Sequence, residues 1–192
     1  MAIIERLYLQ PKQPRLFDHI IQDLQRNIAK RLLFMSHVFG RCERLQKEIN
    51  GHRVFSPNVY AGGDEYILLT PDNTELGNYC FFVAEEPEQM AVQVGNYGRL
   101  RAPFSLVVWV DMRKVGEEDD RNTYDVELKV LDAIGEAGII KRGGIEVTRI
   151  YHKAENVFSG FTLDEVDNQF LMSPFFGLRI EFEALIDEDC NL

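Results

Sequence analysis

An α+β fold is predicted for this 192-residue chain: a mostly antiparallel sheet with an N-terminal helix and a second helix packed on one face, plus an extended β-hairpin or arm. Leu16, Phe17, Ile20, Ile21, Leu24 and Ile28 recur at steps of three and four, the period of an amphipathic helix. In the run Phe104 to Val110, Phe104, Leu106, Val108 and Val110 share one face of a strand while Val107 and Trp109 load the other. A strand apolar on both faces belongs inside a sheet with something packed over it. Finally, Phe176, Leu178, Ile180, Phe182, Ala184 and Ile186 alternate with Gly177, Arg179, Glu181 and Glu183, the period-two pattern of a strand with one buried face.

The elements follow in order. The first helix starts from Pro14 and its stripe extends to Leu32. Phe34 to Glu48 loses the period, and Asn50-Gly51 then separates it from Val54, Phe55, Val59 and Tyr60. Asn-Gly between β-compatible runs predicts a hairpin, because both residues accept positive φ. The alternative is a first helix running on toward Ile49, since Arg41 to Glu48 is rich in helix formers. Residues 56–102 are broken by Pro57, Gly62-Gly63, Pro71, Gly77, Pro87, Gly95 and Gly98, which predicts short strands at Glu65 to Thr70 and Tyr79 to Ala84 in an antiparallel meander or an extended hairpin. A turn is expected near Glu88 to Val92. After the central strand, Tyr124, Leu128, Leu131 and Ile134 form a helical stripe that Val126, Val130 and Ala137 widen, capped by Asn122 or Thr123 and ended by Gly135 and Gly138. Gly143-Gly144 introduces a strand from Ile145 to Tyr151. Thr162 to Glu165 has a capping-box pattern, with Phe161 and Val166 as its staple, so a short helix is expected from Leu163 to before Pro174. With no repeat and no linker, residues 1–192 form a single domain.

The chain carries 21 Lys and Arg against 31 Asp and Glu, a formal net charge of −10, and is 45% hydrophobic. That content excludes intrinsic disorder. No run approaches the roughly 18 apolar residues of a membrane helix, and Glu5 and Arg6 interrupt any signal-peptide pattern, so a cytoplasmic protein with reduced Cys42, Cys80 and Cys190 is expected. The acidic balance disfavours nucleic-acid binding, which needs clustered Lys and Arg. Arg99 to Arg101 and Lys141-Arg142 are too short for such a footprint and would suit an acidic neighbouring subunit.

Catalytic motifs are not apparent. His19, His37, His52 and His152 lack metal-ligand spacing, and the acidic runs 117–120 and 187–189 lack the pattern of a calcium loop. Ser36, Ser56, Ser105, Ser159 and Ser173 lack an elbow motif, and Gly62-Gly63 and Gly143-Gly144 do not extend into phosphate loops. Cys42 lies between Arg41 and Arg44, a setting that would lower a thiol pKa. No cofactor, no metal and no enzymatic activity are expected. What remains is surface: Arg179, Glu181 and Glu183 on the outward side of the last strand, with Tyr60, Tyr66, Phe81 and Phe82 as further candidate contacts between subunits.

The element order itself points to a family. An N-terminal amphipathic helix, a β region, the apolar strand Phe104 to Asp111, a helix from Asn122 to Ala137 and a long alternating final strand resemble the tail-terminator or tail-completion proteins of phages and prophages. The resemblance is one of topology over most of the chain and rests on no signature motif; residues 56–102 are longer than that family needs, so against it they would be an inserted hairpin or arm. It implies a non-enzymatic virion assembly protein, a homo-oligomer forming a commonly hexameric ring that caps the tail and joins it to the head. Its partners would be tail-tube and head-connector proteins, and its place the bacterial host cytoplasm or the virion. A negative lumen would let DNA slide without counterion-release attraction. A different class of reading is a small-molecule-binding or hydrolytic α+β domain using His52, Asp64 and Tyr60 in a pocket. A third is a bacterial adaptor that binds one protein partner.

Overall fold

A computed structural model describes residues 6–14, 17–86, 89–94, 97–116, 122–137 and 143–187. Expectations placed on Leu16, on 117–120, on Gly138, Lys141 and Arg142, and on Cys190 lie outside these residues, as do those on the side chains of Phe17, Arg99 and Asp187.

Two sheets and three α-helices organise the described residues. The larger sheet has β1 (His37–Arg41), β5 (Tyr79–Ala84), β7 (Tyr97–Asp111), β9 (Phe175–Asp187) and β8 (Gly143–Tyr151) in that spatial order, and β6 (Gln89–Val94) pairs with the first part of β7. The β1–β5 pair is parallel and every other pair antiparallel. The smaller sheet is β2 (Glu43–Ile49), β3 (His52–Gly62) and β4 (Glu65–Leu68), with β3 in the centre. The helices are α1 (Phe17–Arg31), α2 (Thr123–Ala137) and the single turn α3 (Ala154–Val157). None is long and apolar enough to cross a membrane.

The two apolar faces of β7 set the layers. Phe104, Leu106, Val108 and Val110 pack with Phe176 to Ile186 of β9 under Ile20, Ile21, Leu24 and Ile28 of α1 and Val126, Val130, Ala133 and Ile134 of α2. On the reverse side, Val107 and Trp109 join Phe81, Phe39, Val59, Leu69, Val157 and Phe158, so the small sheet and α3 cover that face. This is an α+β fold with both long helices on one face of the large sheet, as the sequence predicts.

Several local expectations are corrected. Residues 56–102 are not one arm: 56–68 complete the small sheet, whereas Tyr79–Ala84 is an interior strand between β1 and β7. The segment after α1 turns into β1 and β2 instead of continuing as helix, with Asn50 and Gly51 at φ 51° and 78° in the hairpin turn. A strand begins at Gln89 where a turn was expected. The inward stripe of α2 is Val126, Val130, Ala133 and Ile134, while Tyr124 and Leu128 point to solvent at 72% and 59% exposure. Both faces of α2 are apolar, so periodicity alone left its orientation undecided. The Thr162 capping box starts no helix. Thr162 instead binds β3, its hydroxyl accepting from the Phe55 N–H at 3.0 Å and its own N–H donating to the Phe55 carbonyl at 2.8 Å. The nearby helical turns are α3 and a 3-10 turn at Asn168–Leu171.

Trp109 sits opposite Gly177 in the β7–β9 ladder, and its ring lies over the space a side chain would fill. A Cβ at Gly177 would meet the ring edge, with Cε3 at 2.8 Å. Gly177→Ala is therefore expected to cost about 2–3 kcal/mol of overpacking in urea denaturation. The same substitution in a Trp109→Leu background should cost clearly less, because the ring contact is then gone and only the tight approach to Val157 Cγ2 at 3.2 Å remains.

Candidate assembly interface

The small sheet has one covered and one open face. Residues directly opposite in an antiparallel ladder project to the same side. The pairs Leu45–Ser56, Lys47–Val54, Ile49–His52, Asn58–Leu68 and Tyr60–Tyr66 therefore share a side, while Val59 and Ile67 point to the other and enter the core. The first side carries two patches, the half-buried Leu45, Ile49 and Val54 toward the hairpin turn and Tyr60, Tyr66 and Leu68 toward β4, with Ser56 and Asn58 buried between them. Tyr60, Tyr66 and Leu68 are 38%, 45% and 38% exposed. The two tyrosine rings meet at 5.4 Å, tilted by 60°. Partial burial and the neighbouring Glu43 carboxylate push the Tyr66 hydroxyl above its ordinary pKa.

The N-terminal segment braces this sheet. Arg6 donates to the carbonyls of Ala29, Leu32 and Met35 at 3.1 Å each, satisfying groups left open at the end of α1. Leu7 bridges Val38, and the Tyr8 hydroxyl donates to the Tyr60 carbonyl at 2.7 Å. Beyond that brace, β2 and the start of β3 form a hairpin arm. Glu43, Arg44, Gln46, Lys47, Glu48, His52 and Arg53 are exposed, and Leu45, Ile49, Val54 and Phe55 are only half-buried. Arg44 stacks over the Phe55 ring at 3.9 Å, and Thr162 ties Phe55 to the body. A two-stranded hairpin without further cover is marginal by itself.

Among the charged residues of β9, Arg179 departs from the predicted outward position. Arg179 does not face outward: it is 3% exposed and paired with Glu85, and its guanidinium also donates to the carbonyls of Ser159 at 3.2 Å and Val157 at 3.4 Å. Glu85 accepts in addition from the Ser105 hydroxyl at 2.9 Å. Glu181 and Glu183 continue the same face toward solvent, within 3.9 Å of Arg149 and 3.4 Å of Arg101 respectively. Such exposed pairs contribute little to stability. Phe81 and Phe82 are fully buried on opposite faces of β5, so they are core residues and offer no contact to a partner. Of the aromatic residues in the predicted contact set, Tyr60 and Tyr66 are brought together on an exposed surface. Their register signal, two tyrosines flanking Gly62-Gly63, was present in the sequence. Leu45, Ile49, Val54 and Leu68 were missed, because their shared face depends on the strand pairing.

The residues of the enzymatic alternative do not converge. His52 and Asp64 stand at opposite ends of β3, separated by about 30 Å of extended chain. Among the described residues, no group of three or more His, Cys, Asp and Glu could share a metal ion. Cys42 is buried, and burial pushes its thiol up to about 12 despite the opposing charge of Arg179; the lowered pKa expected from Arg41 and Arg44 is not found. A groove of about 780 Å³ runs between His152–Glu155 and Leu163–Leu171, lined by Glu155, Asp164, Glu165 and Asp167. At its end, His152 contacts Glu127 of α2 at 2.9 Å and stacks on Phe176. The chain matches no family model and no curated protein.

Two outcomes follow. Arg179→Ala takes from Glu85 its cationic partner and from two carbonyls their side-chain donor, and is expected to cost about 2–3 kcal/mol in chemical denaturation, because Glu85 keeps the Ser105 hydroxyl and still reaches water. Cys42 should resist alkylation at pH 8 until the protein unfolds. Because its folded pKa is raised, its contribution to stability is present below the unfolded value and falls as pH climbs toward about 12, which denaturation midpoints across that range would register.

Proposed function

We propose that this chain is a non-enzymatic assembly subunit that associates with copies of itself through the small sheet. The observation that carries the reading is the exposed patch of Tyr60, Tyr66 and Leu68, which lies on the same side of the small sheet as a hairpin arm exposed on both sides, with the buried Ser56 and Asn58 between them. Aromatic and aliphatic side chains gathered on one surface and rimmed by charge, here Glu43, Lys47 and Glu65, have the composition of a protein-protein interface.

The order of elements supports a particular kind of assembly. An amphipathic helix, a β region, an apolar strand followed by a helix, and a long final strand resemble phage tail terminators. On this reading the subunits close into a ring, of about six copies by the family resemblance, which caps a tail in the bacterial host and joins it to the head. The net charge of −10 suits a lumen through which DNA passes without adhering.

Light scattering over a concentration series, with negative-stain imaging, tests the proposal. The native chain is expected to form a closed oligomer, and Tyr60→Ser with Tyr66→Ser to dissociate it while leaving the unfolding midpoint nearly unchanged, since both side chains are exposed. A native chain that stays monomeric at every concentration, or rings undiminished by the double substitution, would contradict it.

A further inference from the structure

Strand β2 lies at the edge of the small sheet and pairs only with β3 among the described residues. An exposed edge offers a row of N–H and C=O groups to another strand, and natural edges are protected by charge or chosen partners. When the seven residues of β2, Glu43-Arg44-Leu45-Gln46-Lys47-Glu48-Ile49, are reversed about Gln46, Arg44 meets Glu48, while Glu43 meets Ile49 and Lys47 meets Leu45.

We propose that β2 pairs antiparallel with β2 of a second copy of this chain about a two-fold axis at Gln46, joining two three-stranded sheets into one of six strands. The inference rests on the assembly reading and adds to the Tyr60–Tyr66 surface a second, edge-to-edge contact. In this register all seven residues of β2 are paired. Arg44 stands opposite the partner's Glu48, twice by symmetry, and Glu43 is diagonal to the partner's Lys47; both arrangements are attractive across strands. A slip of one residue in one direction sets Glu43 opposite the partner's Glu48 and Arg44 opposite the partner's Lys47, like-charge pairs each made twice by symmetry. The opposite slip places no charge opposite its counterpart.

Register also decides which faces join. Pairing about Gln46 keeps residues of the same face opposite each other, so Leu45, Ile49, Val54, Tyr60, Tyr66 and Leu68 of both copies form one surface. Because β2 runs outward from the body into the arm, the antiparallel partner has its body at the far end, and the two arms lie side by side. A two-fold contact is isologous, so the ring it builds has an even number of subunits or is doubled back to back.

Cross-linking tests the register in the full chain. At the two-fold axis, the Cα atoms of residue 46 in the two copies would be about 4.5–5.5 Å apart, within disulfide reach. Residue 48 in the two copies would be about 13 Å apart and out of reach. Gln46→Cys should therefore give a covalent dimer under mild oxidation, while Glu48→Cys and the native chain should not. Arg44→Glu should weaken association at least about tenfold, and Arg44→Glu with Glu48→Arg should restore it. An oligomeric native chain with no Gln46→Cys dimer and no response to Arg44→Glu would overturn this contact while leaving self-assembly in place. A native chain monomeric at every concentration would overturn both.

Discussion

A strand that is apolar on both faces cannot be left half covered, and β7 imposes that constraint on the whole molecule. Thirteen positions of β9 align with it from Arg99–Asp187 to Asp111–Phe175, which makes the pair the spine of the large sheet. One side needs Phe104, Leu106, Val108 and Val110 removed from water, and α1 and α2 supply the cover. The other needs Val107 and Trp109 removed, and the small sheet with α3 is recruited there. Without the second demand, β2, β3 and β4 would have no reason to sit where they do.

Covering the reverse face only in part has consequences. Near Trp109 the cover is apolar and tight, with Gly177 yielding its side-chain space to the ring. Farther along β9 the cover ends, and the transition is made by Arg179, whose buried guanidinium is held by Glu85 and two backbone carbonyls. A buried cation is tolerated only with such partners. Beyond it the face is ionic and wet. The small sheet, anchored through Val59 and Ile67 on one side, is left with its other side and its β2 edge open, and those surfaces are the ones assigned to assembly.

Much of the fold was legible in the sequence because its strongest patterns are local. The period of Ile20 to Ile28, the alternation of Phe176 to Ile186 and the Asn50-Gly51 turn each specify an element without reference to the rest. What was not legible depends on pairing. Arg179 alternates like a surface residue, yet the loop 157–159 folds over it. Tyr124 and Leu128 look like core, yet Val126 and Val130 on the same helix win the sheet. The capping signal at Thr162 was real chemistry spent on another partner, the backbone of Phe55. That side of the small sheet is half legible: Tyr60 and Tyr66 stand out in the sequence as candidate contacts, but Leu45, Ile49, Val54 and Leu68 share their side only through the register of the small sheet.

Assembly through the small sheet makes a local prediction about backbone protection. Amide hydrogen exchange measured from dilute to concentrated protein would locate the buried surface directly. Concentration-dependent slowing confined to Glu43–Ile49 and the adjoining Tyr60–Leu68 is the result this account predicts, with α1 and α2 unchanged. Slowing on the exposed Tyr124–Leu128 side of α2 instead, or none in the small sheet while the mass rises, would contradict it.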